Sequence, residues 1–101
     1  MKPLPPTSEL LQVARRVIWF KEPVVALQDP IHFLAHAMNL GTADDLTALD
    51  KAGISLAHYD EVLGHAPAGI FDERSWAYWN LRCGHRPIPP MPVRHIGQQS
   101  N

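Results

Sequence analysis

A chain of 101 residues and 11.3 kDa, 46% hydrophobic, makes one small domain at most and is too apolar for wholesale disorder. Its single cysteine excludes an internal disulfide and suits a reducing cytosol, and with neither an apolar leader in MKPLPPTSEL nor a run near the roughly 20 residues that span a bilayer, a cytoplasmic protein with no membrane partner is expected. The net charge of −1 is unevenly spread: residues 1–21 sum to +3, residues 22–73 to −8 and residues 74–101 to +4.

Met1 to Pro6 is proline-rich and expected to be extended. Thr7 or Ser8 caps a first helix over 8–18, with Leu10, Ala14, Val17 and Ile18 on one face and Arg15 and Arg16 toward solvent. Val17 to Phe20 either ends that helix or opens a short extended run. Pro23 breaks whatever precedes it, and Val24 to Gln28 has room for one helical turn.

The centre of the chain is Asp29 to Gly53. Asp29 is an N-cap and Pro30 suits the first helical position, where its missing N–H costs nothing. Ile31, Leu34, Ala35 and Met38 then make one apolar stripe of a helix over 30–40. Gly41 is expected to close it in the left-handed conformation. Thr42, with Asp45 three residues on, has the spacing of a capping box for a helix over 43–52, with Leu46 and Leu49 inward and Gly53 as its stop. Ser55 starts a helix over 56–65 whose Leu56, Tyr59 and Leu63 face inward, and Pro67 and Gly69 make a turn. Asp72 caps the last helix, 73–83, which Gly84 closes. Trp76, Trp79 and Cys83 line one side of it, Tyr78 and Leu81 widen the apolar surface, and at least one indole should be buried. The expected fold is all-α: a compact bundle of about five short helices over 8–84, after an extended segment 1–7 and before a proline-rich tail, 85–101, with no packed element.

Residues with possible chemistry each have a plainer reading. His32 and His36 have the four-residue spacing of two metal ligands, but they share a stripe with Asn39 opposite the apolar one, and a solvated face explains them. No CxxC or HExxH accompanies them, so neither metal nor cofactor is expected. Cys83 reads as a semi-buried thiol. In Asp44-Asp45 and Asp60-Glu61, neighbouring helical residues point apart, so each pair is a cap or an exterior acid beside another. With no phosphate-binding glycine loop and no G-x-S-x-G, no enzyme is expected. Arg86 to Pro92 fits R-x-x-P-x-x-P, but the tail reads better as a basic arm that lies across a partner. Leu46 to Leu63 has the outline of a DNA-binding helix-turn-helix, yet LAHYDEVLGH offers no Arg or Lys for phosphates or guanine. A small DNA-binding regulator of that kind is the alternative reading, and nucleic acid is not the expected partner. Charge marks Asp44, Asp60 and Glu61 in the acidic middle, and Arg82, Arg86 and Arg94 in the basic end, as the expected partner contacts.

Four stretches carry a resemblance: Arg16-Val17-Ile18-Trp19-Phe20; Asp29-Pro30 with Phe33-Leu34 and Met38; Leu40-Gly41-Thr42-Ala43-Asp44-Asp45-Leu46 with Leu49; and Ser75-Trp76 with Trp79-Asn80-Leu81. Over about residues 15–84 the chain resembles a family of small bacterial proteins of undefined biochemistry, encoded beside nucleotidyltransferase-like toxins of the abortive-infection type. The family pattern has an acid directly after the early aromatics, whereas Lys21 precedes Glu22 here. The resemblance implies an antitoxin-like, non-catalytic partner of a nucleotidyltransferase and carries over no catalytic residue.

Overall fold

Helices in this chain begin where a side chain can take up the unpaired amides of a first turn. Thr7 accepts from the Leu10 N–H at 3.3 Å, Asp29 from His32 at 3.4 Å and Asp72 from Ser75 at 2.7 Å. Thr42 and Asp45 do so reciprocally, at 3.2 and 3.1 Å, a complete capping box. The computed structural model describes residues 1–93, and these caps open α1 (Ser8–Val17), α3 (Pro30–Leu40), α4 (Ala43–Lys51) and α6 (Glu73–Arg82). Two more helices complete the chain: α2 (Pro23–Leu27), with Pro23 at its first position, and α5 (Leu56–Gly64) after Ser55. There are thus six helices and no strand among the described residues; the expected single turn before Asp29 is α2. Val17 to Phe20 ends α1 and makes a turn.

Helix ends follow two rules. After α4 and α6 the chain turns through Gly53 (φ 94°) and Gly84 (φ 83°), and the next residue returns to the helix: Ile54 N–H to the Leu49 carbonyl at 3.0 Å, His85 N–H to that of Asn80 at 2.9 Å. Gly41 departs from the expected left-handed form, with φ −68° and ψ 147°. Its reason for being glycine is space: a Cβ there would stand 2.5 Å from the Ala37 carbonyl oxygen.

Among the described residues α3 alone packs against all five other helices. Phe33, Leu34, Ala35 and Ala37 are fully buried and Met38 nearly so, which makes α3 apolar on almost every side rather than along one stripe. Val13, Val17 and Ile18 cover it from α1 and its end, Leu49 from α4, Val62 and Leu63 from α5, and Trp76 and Trp79 from α6. The Trp79 indole also donates to the Met38 carbonyl at 2.8 Å, pairing a group the helix end leaves free. Both indoles are buried, as expected of at least one. Leu56, expected inward, is 42% exposed.

The ends hold more structure than the sequence suggests. Leu4 donates its N–H to the Leu27 carbonyl at 3.0 Å, which pins the first segment to the end of α2. The first part of the tail packs back on the bundle, contrary to the free arm expected there. Trp76 Nε1–H donates to the Pro89 carbonyl at 2.8 Å, and Met91 is half-buried against the core.

Two glycine substitutions separate close approach from backbone freedom. Gly41→Ala should lower stability by about 1–3 kcal/mol, because the new methyl meets a helical carbonyl that cannot move without unwinding α3. Gly64→Ala, in a helical position with nothing within 4 Å, should raise it by about 0.4–1 kcal/mol. Urea midpoints check both; equal shifts of one sign would contradict the packing account.

Candidate partner-binding surface

The acidic middle of the chain does not fold into an acidic face. Asp29, Asp45 and Asp72 are spent on helix starts. Asp45 is also almost wholly buried, and accepts from Arg16 Nε at 2.8 Å and from Arg16 Nη2. Burial pushes the Asp45 carboxyl up; the Arg16 guanidinium and the Thr42 amide outweigh it and hold the pKa below the usual carboxylate range. Arg16, expected to face only solvent, joins α1 to α4 while half of its side chain stays wet. Asp60 sits 2.8 Å from His85 Nε2, and Glu61 2.9 Å from the α-amino group of Met1. Asp44 is exposed, within the field of Arg16. Of the three acids expected to meet a partner, Asp44 is on α4 and Asp60 and Glu61 are neighbours on α5; all three are exposed, and Asp60 and Glu61 each contact a nitrogen group.

Cys83 and Asp60 line one shallow depression of about 210 Å³, and His85 lies against Asp60, a set of residue types that invites comparison with a nucleophile, acid and base. The bonding argues otherwise. His85 Nδ1 lies 2.6 Å from the Asn80 side-chain oxygen, whose amide is oriented by Nδ2–H donating to the Trp76 carbonyl. Both imidazole nitrogens are thus engaged by oxygens of Asn80 and Asp60, and no hydrogen bond joins the ring to the Cys83 sulfur among the described residues. Burial, helped by Asp60, raises the Cys83 pKa and disfavours thiolate. The arrangement is a latch that holds the start of the tail on α5 and α6.

The most exposed large apolar groups lie where the sequence marked only an ambiguous turn. Between α1 and α2, Trp19 is 74% exposed and Phe20 53%, in edge contact with ring centroids 5.4 Å apart. Val24 and Val25 on α2 are each about half exposed. Val17 and Ile18, fully buried just before them, anchor the turn. Beneath Phe20 lie His32 and His36, whose ring centroids are 4.5 Å apart and 6.3 and 5.7 Å from that of Phe20. The two histidines, expected on a solvated face, are half-buried because α3 is covered all round. His36 Nδ1–H donates to the His32 carbonyl at 3.0 Å, while His32 Nδ1 is buried without a partner. Burial lowers the His32 pKa, aided by His36 and Lys21 and opposed by Asp29, so the ring serves as a neutral platform. Among the described residues no group of three or more His, Cys, Asp or Glu could hold a metal ion.

A second feature is a groove between α4 and α6. One depression of about 270 Å³ has Leu46, Ile54, Tyr59 and Trp79 in its lining, with Asp50 and Arg82 at its sides. A neighbour of about 320 Å³ shares Leu46 and Trp79 and adds Tyr78 and Arg74. Arg82, one of the expected contacts, lies here with its guanidinium carbon 5.6 Å from the Trp79 ring centre and 5.8 Å from that of Tyr78, and it donates to the Tyr78 hydroxyl at 2.9 Å. Burial and the Asp50 charge push the Tyr59 phenol up to about 12, so it stays a neutral hydroxyl. Arg86 is exposed on the tail, away from this lining, and Arg94 lies outside the described residues. No described helix is long and apolar enough to cross a membrane. Comparison with known proteins gives no match to any family model, curated protein or solved structure.

The Asp45 cluster predicts a pH signature. A carboxyl whose folded pKa is depressed adds stability that is full above its unfolded value, near ~3.9, and disappears as pH falls through the lower folded value. Asp45→Asn should therefore be less stable than the parent at pH 7, with the gap closing below about pH 4. Urea midpoints between pH 7 and pH 2 check this; a constant gap would deny Asp45 its charge-dependent role.

Proposed function

We propose that this chain is a non-catalytic binding protein of antitoxin type, which docks on a nucleotidyltransferase toxin and masks it. The observation that carries the reading is the Trp19–Phe20 knuckle. An indole 74% exposed is costly to leave in water, and no core contact requires it to be there. Its turn is held by buried Val17 and Ile18 and by the histidine platform under Phe20, so the anchor is set before any partner arrives. Protein interfaces draw most of their affinity from a few such residues, Trp foremost.

The kind of partner comes from the family resemblance, which includes Trp19 and Phe20 themselves. Masking needs shape and anchors rather than reactive groups, in keeping with a surface of aromatic and aliphatic side chains. The DNA-binding alternative draws less support. A helix-turn-helix reader sets its second helix against the first and turns cations outward. Here α4 and α5 do not pack on each other, α5 rests on α3 and α6, and its outward face offers Asp60 and Glu61.

The test pairs the chain with the product of its adjacent reading frame. The double variant Trp19→Ala/Phe20→Ser should keep its helical circular dichroism and its stability within about 0.5 kcal/mol, as surface changes do. Its affinity for a nucleotidyltransferase found there should fall by about thirtyfold or more, the loss of one strong anchor. Undiminished neutralisation by the folded variant would remove the knuckle from the interface. Absence of a nucleotidyltransferase beside the gene would remove the toxin.

A further inference from the structure

The groove between α4 and α6 is a second place for protein contact, distinct from the knuckle, and its chemistry specifies an occupant. We propose that it receives an amphipathic α-helix of the partner whose apolar stripe lies on Leu46, Leu56 and Tyr78 and whose flanks carry carboxylates. This rests on the reading of the chain as a protein-binding domain, and it names the element that would be bound.

Geometry supplies the first part. α4 and α6 each pack on α3 but not on each other, so a trough remains between them with α3 below. The two depressions adjoin, sharing Leu46 and Trp79; Trp79 is almost wholly buried, so Leu46 is the accessible side chain common to both. Leu56 and Tyr78, on the α5 and α6 side of the lining, are 42% and 49% exposed. A helix about 10 Å across, laid there, would stand to α4 and α6 as they stand to α3.

Charge supplies the second part. Arg74 and Arg82 line the α6 side, eight residues and so about 12 Å apart along the axis, with Tyr78 midway. Neither is in an ion pair among the described residues, although both are exposed. Against them the α4 side offers Asp50 alone. Arg82 is already aimed, laid on two aromatic rings and tied to the Tyr78 hydroxyl. Two cations beside apolar side chains, one of them held in place, match a helix with acids beside its apolar stripe, and they repel one with lysines there. A nucleic-acid strand would also suit a row of Arg, Tyr and Arg, but it would waste the aliphatic floor and meet Asp50.

The test uses the full chain and three probes: an 18-residue amphipathic peptide with leucines on one face and glutamates beside them, its lysine counterpart, and a 20-nucleotide single-stranded RNA. Anisotropy should show the glutamate peptide binding about tenfold or more tighter than the lysine peptide at low salt, with amide shifts centred on Leu46 and Trp79. Arg74→Glu/Arg82→Glu should reverse that order while keeping the fold, and Trp19→Ala/Phe20→Ser should leave it unchanged. Equal binding of the two peptides, or shifts centred elsewhere, would overturn the proposal. So would RNA bound more tightly than either peptide and lost in the arginine variant, which would make the groove a nucleic-acid site. A dimer of the chain broken by that variant would assign the groove to a second copy and equally refute it. Failure of the knuckle reading shows in the toxin assay; failure here shows in the order of the peptides.

Discussion

Everything in this fold depends on the burial of α3. The helices are five to eleven residues long, below the length at which an isolated helix holds in water, so each must be stabilised by a neighbour. One neighbour serves all five. Its eleven residues include no Asp, Glu, Lys or Arg, and its alanines at 35 and 37 let other helices come close. Deleting atoms from Phe33 or Leu34 would open a hole facing several helices at once, where a change on an outer helix disturbs one contact. The same burial decides the fate of His32 and His36, which become spacers under Phe20 because α3 has almost no wet side left for them.

Much of this was legible because it is local. Caps such as Thr42 with Asp45, or Asp72 with Ser75, sit three residues apart and show in the sequence as pairs, so helix limits fell within a residue or two of expectation. Gly53 and Gly84 read correctly for the same reason. Contacts between distant segments left no such mark. Arg16 and Asp45 are 29 residues apart, and nothing in either neighbourhood announces the other. Trp76 reaches the carbonyl of Pro89 across a turn whose path no periodicity records. Gly41 shows a subtler failure: the residue was recognised as special, but its cause is a carbonyl at 2.5 Å rather than a left-handed backbone. One signal was available and unused, since an uncharged helix with apolar residues off its main stripe is already the pattern of a helix buried all round.

Summing acids over residues 22–73 gives −8, but a sum along the chain becomes a surface potential only if the charges share a face and lack partners. Caps and ion pairs took up Asp29, Asp45, Asp60, Glu61 and Asp72, each for a reason internal to the fold. The exposed residues on which the proposed partner contact rests are apolar or aromatic, together with Arg82 laid on two rings. Sequence could not single them out, because Trp19 and Phe20 look as much like core residues as Val17 and Ile18 do. Only the end of α1 separates them: the chain turns after Ile18, so the first pair of this bulky run points inward and the second outward.

On the proposed reading, that separation would keep folding and binding on different side chains. Trp76 and Trp79 are buried and each donates its indole N–H to a backbone carbonyl, so they hold α6 in place; among the described residues Trp19 makes no such bond. A domain this small has little stability to spare, and an anchor that doubled as core would weaken the fold whenever the interface changed. Trp79 is the instructive exception, since its ring also floors the groove and carries Arg82. Its indole N–H is bonded at 2.8 Å to the Met38 carbonyl in the last turn of α3, shortly before the Gly41–Thr42 corner and the Asp45 capping box. An occupant of the groove would therefore brace the corner on which the helix pair turns, and it would stabilise the domain by mass action as well as by contact.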